Sequence, residues 1–248
     1  IRYTIRRKDS GGSNSGNSRK GERMKVLIAC EESQTVCEEF RKLGYEAYSC
    51  DILKTSGAHP EWHIDSDVSE ILNGKCKFRT QKGDWHSIKA EWDLIIGFPP
   101  CTYLSNAGAR HLYPNGCLNE ERYAKGLMAK QFFLSILESD CKYIAVENPV
   151  SSRIYDMPTF TQEIQPYQFG HPQKKKTRLW LKNLPCLKPT NVVKPTQNCH
   201  EKGWYTKGGK ERQRKRSKTF RGIAIAMAEQ WGRYVEEAKG IEGNGIEI

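Results

Sequence analysis

The spacing of apolar positions changes repeatedly along the chain. Residues 26–30 form a short unbroken apolar run, which predicts a buried strand. Residues 35–43 switch to helical spacing and run into Gly44, a common helix stop. Residues 46–50 predict a second strand, closed by Asp51. Residues 64–72 read as a short strand or turn followed by a helical turn, and residues 73–91 as a polar insertion with the look of a hairpin. Residues 92–96 predict a further strand, ending at Pro99-Pro100-Cys101. Residues 102–118 carry Gly, Asn and Pro and read as a loop. Asn119 can cap a helix running to Ser139, with Leu127, Phe132, Ile136 and Leu137 at helical spacing. Residues 143–146 give the next strand. A last helix is expected over 223–238, with Ile223, Ala226, Met227 and Trp231 on one face. Strands alternating with helices predict an α/β fold, a doubly wound and mostly parallel sheet of Rossmann-like type.

Domain organisation follows from where this alternation fails. Residues 1–23 are rich in Ser, Gly and Asn between basic flanks and are expected to be a disordered basic tail, with Met24 placed like a natural start. Residues 24–181 are expected to form the main domain. Residues 182–221 hold Pro185, Pro189 and Pro195, few apolar residues and a basic cluster, too little for a core of their own. They read as a small irregular recognition segment, after which residues 222–240 return to the main domain.

Charge sharpens this division. The chain of 248 residues carries a net charge of +11, of which residues 1–23 contribute +5 and residues 207–221 contribute +7. The remainder sums to −1, so a near-neutral body carries two basic segments. That arrangement points to a polyanion met at defined places, with nucleic acid favoured over two merely solvated charge runs. No apolar stretch reaches the roughly 18 residues of a membrane span. The nine cysteines, Cys30, Cys37, Cys50, Cys76, Cys101, Cys117, Cys141, Cys186 and Cys199, include no Cys-x-x-Cys pair. Scattered thiols without such spacing imply reduced cysteines, a cytoplasmic location and no metal cluster.

Two strand ends carry the chemistry. Cys101 follows a rigid Pro-Pro corner after one apolar run, and Glu147-Asn148-Pro149 ends another. Open α/β sheets place their ligands at the carboxyl ends of strands. Carbon 6 of a cytosine ring is a weak electrophile. A thiolate adding there, with an acid bonded to ring nitrogen 3, makes carbon 5 nucleophilic. Cysteine suits the first role, and a carboxyl whose pKa is raised by burial suits the second. Alone, Cys101 also reads as a small buried hydrophobe, and Glu147 as a cap or ion-pair carboxylate.

Phe98-Pro99-Pro100-Cys101 and Glu147-Asn148-Pro149 resemble the nucleophile and acid motifs of DNA cytosine-5 methyltransferases, and Lys25 to Trp231 looks like short, phage-type members of that family. In the related amino-methyltransferases the residue after Pro-Pro is usually aromatic, so Cys101 favours ring-carbon chemistry. The resemblance implies S-adenosylmethionine as donor, double-stranded DNA as the partner of a monomer, and base flipping of the target. It implies Asp51 and Ile52 at the donor ribose and Asp67 and Val68 at the adenine, with Pro99 beside them; either Asp also reads as a helix cap. In the first loop the usual Gly-rich turn is replaced by Ala29-Cys30-Glu31-Glu32-Ser33-Gln34. Cys30, Ser33 and Gln34 are then expected at the methionine tail, with Glu31 suited to its ammonium. Gln173 and Arg178 are the nearest counterparts of a Gln-x-Arg-x-Arg motif that contacts the target, making Arg178 a third catalytic residue. Pro100, Asn148, Lys175 and Lys176 join the DNA side, and Ser105, Asn106 and Arg110 belong to a mobile loop with Gly108 as a hinge or turn residue. Arg214, Lys215 and Arg216 are expected on phosphates. A short basic segment predicts a short or relaxed target site and steep salt dependence, in keeping with a restriction-modification role. Two other readings stay open: a transferase of the same scaffold acting on RNA or with a modified donor, and a non-catalytic DNA-binding decoy.

Overall fold

The computed structural model describes residues 23–109, 111–198 and 217–243. Its centre is a seven-stranded sheet. Strands β1 (Lys25–Ala29), β2 (Glu46–Asp51) and β3 (His63–Asp65) run outward on one side. The small antiparallel hairpin β4 (Lys77–Arg79) and β5 (Trp85–Ser87) follows. Strands β6 (Leu94–Gly97) and β7 (Ile144–Pro149) run outward on the other side of β1. Neighbours from β3 through β2, β1 and β6 to β7 are all parallel. Beyond them come β8 (Gln162–Ile164), the two-residue β9 (Gln173–Lys174) and β10 (Thr177–Lys182). Strand β10 inserts antiparallel between β7 and β8. A last short strand, β11 (Gln197–Asn198), pairs with β9. The order β3-β2-β1-β6-β7-β10-β8 is the doubly wound, mostly parallel, Rossmann-like sheet that the alternation predicts.

Each face of the sheet is covered, which is why the central strands read as unbroken apolar runs. On one face Val26, Ile28, Leu94, Ile96, Ala145 and Leu179 pack against helix α1 (Thr35–Lys42) and the C-terminal helix. On the other, Leu27, Ala29, Ile95, Ile144, Val146 and Trp180 join Phe133 and Ile136 of helix α3 (Glu120–Leu137). The C-terminal helix begins as Arg221–Ala226, passes through a π-helical stretch, Met227–Gly232, and ends as Arg233–Gly243. The expected face holds: Ile223, Ala226, Met227 and Trp231 are all buried.

Three expectations are corrected. In α3, Asn119 does cap, its Oδ1 accepting the Arg122 N–H at 2.9 Å. The buried positions, however, are Gly126, Phe133 and Ile136, while Leu127 is exposed. Gly126 is needed because a Cβ there would stand 2.1 Å from the Tyr155 ring. The loop over 102–118 contains a short helix, α2 (Asn106–Ala109), and a 3-10 turn, Pro114–Gly116. Residue 182 is no structural break: Leu184 and Leu187 join the core, and the Trp231 indole donates to the Pro185 carbonyl at 2.9 Å. Most of the basic recognition segment, residues 199–216, and the tail 1–22 lie outside the described residues.

Candidate active site

Between β1 and β6 the strand order reverses direction, so the loops leaving their carboxyl ends part and open a crevice. The loop after β1 makes its turn without glycine. Cys30 (φ 61°) and Gln34 (φ 59°) themselves adopt left-handed conformations, at a cost of roughly 1–2 kcal/mol each. Hydrogen bonds offset that cost. Gln34 is fully buried, its Oε1 accepting the His59 N–H (3.1 Å) and its Nε2 donating to the His59 carbonyl (2.8 Å). Gln34 therefore braces the loop before β3 rather than facing a ligand. Glu31 is also turned inward, its two oxygens accepting the N–H groups of Val36 (2.7 Å) and Cys37 (3.1 Å) at the start of α1. Burial nonetheless pushes its pKa up to about 7. Helix α1 thus begins on the protein's own carboxyl, where phosphate-binding folds leave free N–H groups. Ser33 bonds Thr35, hydroxyl to hydroxyl, at 3.0 Å.

The acids expected at the donor lie at the ends of β2 and β3. Asp51 is half-buried and holds the Leu53 N–H on Oδ1 (2.9 Å), and burial raises its pKa. Beside it Ile52 is 73% exposed, an apolar side chain left open next to a carboxyl. Asp67 is exposed and caps the 3-10 turn Val68–Glu70, accepting the Ser69 N–H and hydroxyl, which lowers its pKa. Val68 corrects its expectation, being buried in the core with Leu27 and Ile64. Cys30 stands near both acids: burial and then the charges of Asp51 and Asp67 hold its thiol above the usual range.

The strand ends of β6 and β7 are joined. The Asn106 N–H donates to the Val150 carbonyl and the Ser152 N–H to the Leu104 carbonyl, both at 2.8 Å, and Ser105 bridges Ser151. The Ser105 N–H also donates to the Cys101 carbonyl at 2.8 Å. The Cys101 loop and the end of the Glu147 strand therefore leave the sheet as one unit. Pro99 is buried and Pro100 exposed. Gly108 is a close-packing residue in this arrangement, since a Cβ would lie 2.5 Å from the Thr102 carbonyl. Arg122 ties that turn to α3 by donating to the carbonyls of Thr102 (3.2 Å) and Gly108 (3.3 Å). Glu147 is half-buried, and desolvation raises its pKa against the opposing charge of Lys175. Asn148, on the opposite face, is fully buried; its Nδ2 donates to Ser151 (2.9 Å), and its Oδ1 has no hydrogen-bond partner among the described residues.

Strand parity decides which basic residues reach Glu147. Leu179 pairs with Glu147 across β7 and β10, and Arg178 pairs with Asn148, so Arg178 lies on the other face. There its Nε meets Glu163 at 3.4 Å and its guanidinium lies over Phe160 at 4.3 Å. Lys176 also goes to Glu163, at 3.2 Å. The residues of this segment that lie beside Glu147 are instead Lys175 and Thr177. With Phe98, Ser217, Thr219, Phe220, Ile223 and Met227 they line a narrow cleft at Glu147, with an open volume of about 20 Å³. The spacing Gln173-x-Lys175-x-Thr177 already carried this signal, reproducing Gln-x-Arg-x-Arg with substitutions. Phe98 belongs to the Phe98-Pro99-Pro100-Cys101 motif, whereas Phe220 had no such signal. Arg110, Arg214, Lys215 and Arg216 lie outside the described residues.

Among the described residues no helix is long and apolar enough to cross a membrane, and no His/Cys/Asp/Glu group could hold a metal ion. No family model matches the chain, and no curated protein matches it. Among solved structures, the chain is similar to Entamoeba histolytica methyltransferase EhMeth at 11% identity and a TM-score of 0.38. The match covers 70% of this chain and 58% of that one. A likeness this distant fixes no activity.

Proposed function

We propose that the protein is a methyltransferase acting on carbon 5 of cytosine in DNA. One observation carries this: a cysteine just past β6 and a burial-raised carboxyl near the end of the adjacent parallel strand β7 stand where the chain segments leaving the two strands are hydrogen-bonded to each other. Cys101 would add as thiolate to carbon 6 of a flipped cytosine, opening the ring's 5,6 double bond; once carbon 5 carries the methyl group it would lose its proton to water, the double bond would re-form and the thiolate would leave. Glu147, holding its proton, would donate to ring nitrogen 3 and stabilise the charge that develops there. Lys175 and Thr177 would orient the ring from β10, while Phe98 and Phe220 exclude water. The present opening holds about one water molecule, so Phe220 and its neighbours draw back for a base to enter.

The residues at the crevice fit S-adenosylmethionine, which when bound supplies the methyl group. Asp51 would accept the ribose hydroxyls, Ile52 offers an apolar face for the adenine, and Asp67 lies at the next strand end. Glu31, Glu32, Asp51 and Asp67 make this end of the sheet acidic, which suits a nucleoside with a cationic tail. The occupied start of α1 does not suit a pyrophosphate.

Nucleoside mass spectrometry tests the reading. Incubation with unmodified duplex DNA and S-adenosylmethionine should add one methyl mass to deoxycytidine. Cys101→Ala should abolish the product while retaining DNA binding. Product from Cys101→Ala at the wild-type rate would rule the reaction out.

A further inference from the structure

The hairpin β4–β5 has two unlike faces. On the inner one, buried Phe78 stacks with His86 (5.6 Å between centroids) and with Trp92 (6.2 Å), and meets the Tyr48 ring edge-on at 5.0 Å. The turn is clamped to the body: Gln81 N–H donates to the His63 carbonyl (2.7 Å), and Thr55 N–H to Gln81 Oε1 (2.9 Å). The hairpin is therefore held firmly on the edge strand β3, at the far side of the sheet from β8.

The outer face presents Lys77, Arg79, Trp85 and Ser87, all exposed. The register places Arg79 opposite Trp85 and Lys77 opposite Ser87. Trp85 is 71% exposed although an aromatic cluster lies just beneath it. Arg79 Nε donates to the Gly83 carbonyl at 3.0 Å, which keeps the guanidinium at the turn. Residues 75–91 carry five Lys/Arg against Asp84 and Glu91, a net +3. Apart from the two basic segments, the rest of the chain is net negative, so this is a local positive face on an acidic body.

A flat, open indole flanked by cations is the device with which proteins hold unpaired nucleotides: bases stack on the ring and phosphates meet the charges. An acidic peptide would satisfy the cations but bring no ring to cover the indole. We infer that the outer face of the β4–β5 hairpin binds single-stranded nucleic acid, with a base on Trp85 and the phosphates on Lys77 and Arg79. This site, on the β3 edge of the sheet, is separate from the cleft at Glu147 on β7 and does not depend on methyl transfer.

The test is fluorescence anisotropy with the full chain, near physiological salt, comparing a labelled oligo-dT of about 20 nucleotides with a blunt duplex of equal length. Trp85→Ala should weaken single-strand binding about tenfold and duplex binding less than twofold, while Trp85→Phe keeps most of the affinity. Replacing Lys77 and Arg79 together by Gln should flatten the slope of log affinity against log salt by about 1.4 for the single strand. Unchanged single-strand affinity in Trp85→Ala, or equal losses on both DNAs, would overturn the inference. So would displacement by polyglutamate as readily as by unlabelled oligonucleotide. If Trp85→Ala melts early, the salt slope of the Lys77/Arg79 variant decides, and an unchanged slope refutes the site.

Discussion

Lys175 and Arg178 stand three positions apart, yet the charge of Lys175 acts on Glu147 while Arg178 is held by Glu163 on the opposite face. Their replacements should separate cleanly. Lys175→Met removes a side chain proposed to orient the ring and should lower kcat/KM for methyl transfer by about tenfold, although loss of its charge lets the Glu147 pKa rise further and so keeps the acid protonated. Arg178→Met should leave kcat/KM within about twofold but cost about 1 kcal/mol of stability, read from thermal melting, through its lost ion pair and ring contact. Glu31 gives a pH signature. Its pKa rises from 4.5 to about 7 on folding, so between those values the folded state holds a proton that the unfolded state has released. Its contribution therefore weakens the fold as pH rises through that window, by something on the order of 3 kcal/mol in total, and is relieved below it. Glu31→Gln should flatten the dependence of melting temperature on pH between about 5 and 7.

At the scale of elements, α3 shows packing overruling propensity. Alanine is the better helix former by about 1 kcal/mol, yet Gly126→Ala should destabilise the protein by roughly 1–3 kcal/mol, because the new methyl meets the Tyr155 ring. Chemical denaturation would measure it, and a stabilised variant would mean that Tyr155 shifts at little cost. The same residue explains why the helix was placed correctly from sequence but its buried side was not. Asn119 announces the start of α3. Its core-facing side runs through a glycine, which carries no apolar signal, while Leu127 and Met128 suggest a side that stays in water. The hairpin β4–β5 was visible as a polar insertion, because such segments read as outside the core whichever face they bury.

For the whole molecule, the parallel half of the sheet was legible because β1, β6 and β7 are buried on both faces and their residues have to be apolar. The antiparallel end was not. Strand β8 has three residues and β10 follows a lysine run, so their pairing is set by the sheet they join rather than by their own pattern. Cys101 and Glu147 could be picked out as strand-end groups, because a thiol or carboxyl straight after an apolar run stands out. The bracing role of Gln34 could not, since a polar loop residue gives no sign of which backbone it will bond. The turn after β1 has a consequence for how such chains are found. Cysteine and glutamine hold left-handed positions there that are ordinarily filled by glycine, so the fingerprint a pattern search depends on has been erased while the bend persists in the backbone. The shape of the first crossover is thus recorded in the backbone angles of Cys30 and Gln34 and not in their letters.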